Sequence, residues 1–214
     1  MDRAAVLDLL ADRVAALPRP ALVAVDGVDG AGKTVLADDL AGVLVRRGDR
    51  VVRAGIDGFH RPRVERYARG RSSPEGYFHD SFDLDAFRRC VIEPARAAAG
   101  HVRTAAFDHR ADAAVAGDEV DVSGAVVLVD GVFLQRDELH GVWDLAVYLR
   151  APFEATYARM SARDGSPPHP DHPDNRRYLE GQRLYLRGCR PEERADVVLD
   201  VTDVRAPVVV SGLG

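Results

Sequence analysis

Ala21-Leu22-Val23-Ala24-Val25-Asp26-Gly27-Val28-Asp29-Gly30-Ala31-Gly32-Lys33-Thr34 passes from an unbroken apolar run directly into the pattern G-x-x-x-x-G-K-S/T. The run 21–26 has the length and the β-branched content of a buried strand. Beyond the glycines, Val35, Leu36, Leu40, Val43 and Leu44 recur at helical spacing up to Gly48. A glycine-rich turn between a strand and a helix aims backbone N–H groups and the positive end of the helix at an anion. Gly27, Asp29, Gly30, Ala31, Gly32, Lys33 and Thr34 are therefore expected to cradle the phosphates of a nucleotide. In that arrangement Lys33 spans the β- and γ-phosphates and the Thr34 hydroxyl faces Mg²⁺. Lys33 is the only lysine in the chain, against 28 arginines. One compact ammonium among so many planar guanidiniums marks a position where a rotatable point charge is required.

Outward from this loop, the bulk composition narrows the alternatives. With 214 residues and 46% apolar content, the chain is long enough for one domain with a full core. The net charge of −5 and a pI near 5.8 argue against a nucleic-acid binder, which needs a basic face. No apolar run approaches the length of a membrane span, and residues 1–17 lack the apolar core of a secretory leader. A cytoplasmic protein without nucleic-acid or membrane partners is expected. Cys90 and Cys189 stand alone, without the spacing of a zinc site or a disulfide framework.

Apolar periodicity predicts a first helix through Val6, Leu10, Val14 and Leu17, stopped by Pro18 and Pro20. Strands follow at 50–54, 102–107, 125–130, 145–149 and 197–200. Helices are expected around Leu84, Phe87 and Val91, with Pro94 kinking the last, and over 152–162 and 176–186. The Pro- and Gly-rich stretch 164–175 reads as a loop. Strands alternating with helices imply an α/β fold with a mostly parallel sheet covered on both faces, and ligands at the carboxyl ends of its strands.

Two carboxylates stand at such ends. Asp57, in Gly55-Ile56-Asp57-Gly58-Phe59-His60, is where a base would accept the proton of an acceptor hydroxyl. Asp130 closes the run Val126-Val127-Leu128-Val129-Asp130-Gly131 and has the form of a metal-holding Walker B carboxylate. The basic segment from His60 through Arg61, Arg63 and Arg66 to Arg69 and Arg71 reads first as a solvated connection, with binding of an anionic acceptor or of the nucleotide phosphates as the alternative. With Lys33 as the only lysine, the N-K-x-D guanine signature of GTP-dependent switches is impossible.

With these residues in place, the chain resembles the uridine kinase and phosphoribulokinase group of P-loop kinases over nearly its whole length. The similarity runs through VAVDGVDGAGKT (23–34), IDGFHRPR (56–63), RSSPEGYFHDSFDLDAF (71–87), AAFDHRAD (105–112), VVLVDGVFL (126–134) and GQRLYL (181–186). The resemblance implies a P-loop NTPase three-layer sandwich and an ATP- and Mg²⁺-dependent transfer of the γ-phosphoryl to a small-molecule hydroxyl, the 5′-hydroxyl of uridine or cytidine first. Another acceptor (pantothenate, a sugar or a nucleoside monophosphate) and a non-catalytic nucleotide-binding module are the alternatives. The family's D-x-F-H/Y base corresponds to Asp57. His60, Tyr77, Asp83, His109 and Arg110 would approach the acceptor, Thr34 and Asp130 the metal, and Arg163, in a lid around 159–177, the transferred group. Resemblance also puts the adenine against 191–195 and 197–200. The chain departs from the family in three places. Its 79–83 stretch keeps only part of F-D-H-P-D-A-F-D, Asp130 replaces a usual Glu, and the closely spaced lid arginines are spread over Arg159, Arg163, Arg176 and Arg177.

Overall fold

A computed structural model describes residues 2–97 and 100–213. The apolar run forms strand β1 (Ala21–Gly27), buried at every position. It is preceded by helix α1 (Arg3–Ala15), whose first turn is capped by the Asp2 carboxylate accepting from the Ala5 N–H, and followed by α2 (Lys33–Arg46). Next come β2 (Val51–Gly55), a 3₁₀ turn at Ile56–Phe59, and short helices α3 (Arg63–Arg66), α4 (Pro74–Asp80), α5 (Leu84–Phe87) and α6 (Glu93–Arg96). Four short strands, β3 (His101–Arg103), β4 (Phe107–Asp108), β5 (Ala113–Ala114) and β6 (Glu119–Asp121), lead to β7 (Val126–Gly131) and β8 (Leu145–Arg150). Helices α7 (Phe153–Asp164), α8 (Arg176–Cys189) and α9 (Pro191–Arg194), then β9 (Val197–Asp200) and β10 (Val208–Ser211), complete the chain.

The central sheet has the order β10-β9-β8-β1-β7-β2, parallel throughout except for the antiparallel edge strand β10. Alternation along β1 and β7 divides the core in two. Leu22, Ala24, Val127 and Val129 face a layer that includes α4, α5 and α8, while Val23, Val25, Val126 and Leu128 face α1 and α2. Each fully buried valine here contributes about 1.5–3 kcal/mol relative to exposure. Because β1 lies between β7 and β8, connections leave it in both directions and open a crevice at its carboxyl end. The α/β sandwich expected from the sequence is the observed one, and no described helix is long and apolar enough to cross a membrane.

The expected strand over 102–107 is not a member of this sheet. Its ends form β3, paired antiparallel with β6, and β4, paired with β5. The segment is too polar for a sheet interior, since only Val102 of β3 is buried and Arg103 is engaged with Glu119 at 2.8 Å. Ala106 instead donates its N–H to the Gly58 carbonyl at 2.8 Å, which ties this excursion to the 3₁₀ turn carrying Asp57. At Pro94 the helix widens into a single π-type turn over Arg88–Ile92, as expected where a ring without an N–H enters a helix.

Candidate active site

Gly30 and Gly32 adopt φ of +73° and +92°, which only glycine takes without strain. A Cβ on Gly30 would also lie 2.5 Å from the Thr156 carbonyl oxygen of α7, so the loop sits tightly against that helix. Gly32 starts α2 with no side-chain cap, which leaves the first backbone N–H groups of α2 free for a ligand. The Lys33 ammonium folds back to the Val28 carbonyl at 2.9 Å and crosses the loop.

Thr34 and Asp130 meet as the sequence suggests. The hydroxyl donates to Asp130 Oδ2 at 2.6 Å, while Arg53 holds Oδ1 at 2.8 Å. One hydroxyl from the first turn of α2 and one carboxylate oxygen from the end of β7, side by side, are hard donors that suit Mg²⁺, which keeps most of its shell for phosphates and water. The described residues contain no cluster of three or more His, Cys, Asp or Glu side chains that would form an all-protein cage for another metal.

Below the loop, Asp26 is fully buried at the end of β1. It accepts a short hydrogen bond from the Tyr185 hydroxyl and another from the Gly27 N–H at 2.7 Å. Burial pushes its carboxyl up to about 6, against these two bonds and the Lys33 charge. Asp29 is tied down from above. Its Oδ2 accepts from the Tyr77 hydroxyl at 2.8 Å and from Gln182 Nε2 at 3.0 Å, while its backbone N–H donates to Gln182 Oε1 at 2.8 Å. Burial raises the Asp29 carboxyl, with Lys33 opposing and Asp57 adding to the shift.

A cavity of about 500 Å³ opens on this side of the loop. Lys33, Thr34, Asp57, His60, Tyr77, His109, Asp130 and Arg163, all anticipated from sequence, line it. Asp57 is exposed on its 3₁₀ turn, and that turn is braced by the His60 ring, whose Nδ1 is 2.8 Å from the Asp57 carbonyl oxygen. His60 packs between Phe82 and His109, with ring centroids at 4.6 and 4.7 Å. Burial lowers its imidazole below the ordinary histidine range and favours the neutral ring. The described chain has three buried side-chain polar atoms without a partner, Arg66 Nε, Tyr157 OH and Ser166 Oγ. All three residues line this cavity. Such concentration of unmet hydrogen bonding marks a place built for a polar ligand.

Two expected contacts lie elsewhere. Asp83 accepts from the Ala86 N–H at 2.8 Å and caps α5, so its carboxylate serves a helix end and does not line the cavity. Arg110 is exposed on the turn between β4 and β5, where its N–H donates to Asp108. Among the lid arginines, Arg159 clamps the Val201 and Thr202 carbonyls at 2.7 Å each, and Arg176 lines a different cavity with Pro170 and Arg187. Arg163 alone borders both sides of the phosphate loop, paired with Asp164 at 2.8 Å. Arg66, read from the sequence as solvated, has a side chain only 11% exposed. Tyr67, Tyr178 and Gln182, the last through Asp29, also shape the cavity region without having been given a role, and Arg177, expected among the lid arginines, lines it as well. Gln182 sits inside the quoted GQRLYL stretch, which was the available signal.

On the opposite side of the loop is an apolar cavity of about 370 Å³, bounded by Val35, Leu36, Leu149, Val201 and Val204 together with Arg3 and Arg159. Helix α9 packs toward β8, and Arg194 binds the Gln135 carbonyl and Asp137, whereas the segment after β9 faces the loop.

No family model and no curated protein matches the chain. Solved structures do. A possible uridine kinase from Bacillus stearothermophilus superposes with a TM-score of 0.69 at 24% identity, over 90% of this chain and 96% of the other. A "putative fructose transport system kinase" from Silicibacter sp. TM1040 gives 0.68 at 28% identity, over 86% and 94%. Phosphoribulokinase from Rhodobacter spheroides gives 0.54 at 16%, over 82% and 68%. The structural relatives are uridine kinase-like, phosphoribulokinase and related P-loop kinases, and the chain has their fold.

Proposed function

We propose that the protein is a kinase that uses Mg²⁺ and ATP to phosphorylate a hydroxyl of a small molecule. The observation that carries this reading is the convergence of Lys33, the Thr34–Asp130 pair, Asp57 and Arg163 on one cavity. A protein that merely bound nucleotide would need the loop and the metal pair, yet have no use for an exposed carboxylate on the facing wall.

The nucleotide would lie across the loop, its base in the apolar cavity beside Val201 and Val204 and its γ-phosphate toward Asp57. Mg²⁺, held from the protein side by Thr34 and Asp130, supplies charge neutralisation to the β- and γ-oxygens when bound. Asp57 orients the acceptor hydroxyl and takes its proton as the acceptor oxygen bonds to the γ-phosphorus. The bond from that phosphorus to the β,γ-bridging oxygen breaks, and ADP departs. Lys33 and Arg163 offset the charge that spreads over the transferred group.

The acceptor suggested by the resemblance is the 5′-hydroxyl of uridine or cytidine. Phe82, Tyr67 and Tyr178 along the cavity support a ring-bearing acceptor. Against it stands the position of Asp83, which is engaged as a helix cap and gives no ribose contact.

ADP release by the purified protein with Mg·ATP, screened over uridine, cytidine, pantothenate, sugars and nucleoside monophosphates, tests the reading. Acceptor-dependent release that falls about 10²-fold or more in Asp57→Asn, with ATP binding retained, is the expected result. Tight ATP binding with no turnover on any acceptor would instead identify a nucleotide-binding module.

A further inference from the structure

Three guanidinium groups surround the ring of Tyr67. Arg177, Arg71 and Arg66 stand 4.8, 5.4 and 5.7 Å from its centroid. Arg177 is buried at 6% exposure and donates to the carbonyls of Arg66, Gly70, Arg71 and Ser73. Among the described residues it forms no ion pair, and neither does Arg71. The one carboxylate near Arg66 is Asp112, at 3.5 Å, which already accepts from the Arg63 N–H at 2.7 Å. Arg66 Nε, buried, has no partner.

An aromatic face and backbone carbonyls solvate cations without neutralising them. Buried positive charge is costly unless paired, so a cluster left positive in the free protein is set up to receive an anion. The nearby carboxylates leave the cluster unneutralised: Asp174 shares a cavity with Arg71 and Arg177 but, among the described residues, forms an ion pair with neither. Asp80 pairs with Arg69 at 2.7 Å, and Asp83 caps α5. The cluster is also separate from the phosphate loop. Tyr77 stands between them, its hydroxyl on Asp29 and its ring 5.9 Å from the Arg177 guanidinium.

We propose that the acceptor carries a phosphate or carboxylate group, which docks on the Arg66–Arg71–Arg177 cluster while its hydroxyl faces Asp57. Forked N–H donors match both anions; Arg66 and Arg177 line the same cavity as the base, and Arg71 borders an adjoining one that shares Tyr67, Arg177 and Tyr178 with it. The inference rests on the kinase reading above and deepens it. A neutral nucleoside would leave the cluster empty, whereas a sugar phosphate, a hydroxy acid or a nucleotide would fill it.

The test begins with protein loaded with Mg²⁺ and a non-hydrolysable ATP analogue, so that the phosphate loop is filled. Inorganic phosphate and succinate are titrated separately by calorimetry, which distinguishes the two anion types. One of them binds saturably, and Arg66→Gln weakens that binding by about 10-fold or more, as expected for a charged hydrogen-bond partner. Arg71→Gln, at an exposed site, weakens it less and guards against a folding defect at position 66. Matched acceptors then follow with Mg·ATP: glycerol with glycerate and glycerol phosphate, ribose with ribose 5-phosphate, and uridine with its monophosphate. An anionic member is preferred in kcat/KM, and Arg66→Gln removes the preference through the acceptor KM while the KM for ATP stays put. Absence of anion binding to the loaded protein, or neutral members turned over as well as anionic ones, overturns the proposal, and the latter leaves the kinase reading intact. Anion binding sensitive to Arg66→Gln with no turnover of any acceptor upholds the anion site and overturns the kinase.

Discussion

The two cavities that meet at the phosphate loop share Gly30, Met160 and Arg163 and otherwise differ in kind. The one beside α2 and the segment after β9 is walled by valine and leucine side chains, with little to hydrogen-bond. The other holds the carboxylates of Asp29, Asp57, Asp130 and Asp164, the paired histidines, four tyrosines and all of the partnerless buried side-chain polar atoms among the described residues. An apolar slot accepts a flat ring by shape, whereas a polar chamber with unmet hydrogen bonds demands a specific partner. On the proposed reading, much of the chemistry that distinguishes one acceptor from another therefore lies on the polar side, and the phosphoryl group would pass from nucleotide to acceptor at the loop between them.

Lys33 stands at that junction, and its removal should produce the largest effect. Lys33→Ala withdraws the one ammonium that crosses the loop, leaving Arg163 as the cation that lines both cavities. Loss of a preorganised charge of this kind costs about 10³-fold in kcat. Single-turnover rates with Mg·ATP measure it. If the rate fell by no more than a few-fold, the transferred group would have to be stabilised from the acceptor side, and the division between the cavities would need redrawing.

Beneath the same junction, Asp26 supports both cavities without lining either. Its carboxyl, pushed up to about 6 by burial from an ordinary 3.8, holds its proton more tightly in the folded chain than in the unfolded one. The sign follows from linkage. The resulting stabilisation is complete below about pH 3.8 and is lost as pH rises through about 6. Asp26→Asn keeps an acceptor for the Gly27 N–H and removes the titration. Between pH 4 and pH 8, urea unfolding of the two proteins should diverge by on the order of 2 kcal/mol, the native chain losing more as pH rises. Parallel stability curves would mean that Tyr185 and Gly27 already compensate the buried charge.

The nucleotide side was legible in the sequence because its signals are local. Strand, glycine turn, Lys33, Thr34 and α2 follow one another within a single stretch, and Asp57 and Asp130 each end an apolar run at the same edge of the sheet. The acceptor side is assembled from short pieces far apart in the chain, and there residue type says little. Asp83 has the chemistry of a ribose contact, but its position just ahead of a helical turn made it a cap. Arg66 has the composition of a solvated loop residue, yet at the end of α3 its guanidinium turns to the His109 carbonyl and Asp112, and Arg177 reaches across from α8 to the carbonyls of 66–73. The 102–107 stretch carries enough apolar residues for a strand, while Arg103 and the tether from Ala106 to Gly58 direct it out of the sheet. For Arg66 and the 102–107 stretch a long-range contact decided the outcome, and for Asp83 a local cap did.

The smallest expected effect probes the apolar cavity alone. Val204 lies on its rim, with Cγ1 3.6 Å from where a Cβ on Gly32 would sit, and contributes nothing to the polar chamber. Val204→Asp places a charge where a ring would stack and exposes it to partial desolvation, costing about 1.4 kcal/mol of nucleotide binding, or 10-fold. The change should appear in the KM for ATP, with the acceptor KM and the single-turnover rate at saturating ATP nearly unchanged, because the side chain is separated from Asp57 by the whole phosphate loop. An effect on the acceptor KM of equal size would show that the loop moves as one body with both ligands. Gly30, packed 2.5 Å from the Thr156 carbonyl at its virtual Cβ, would then be the point through which α7 couples them.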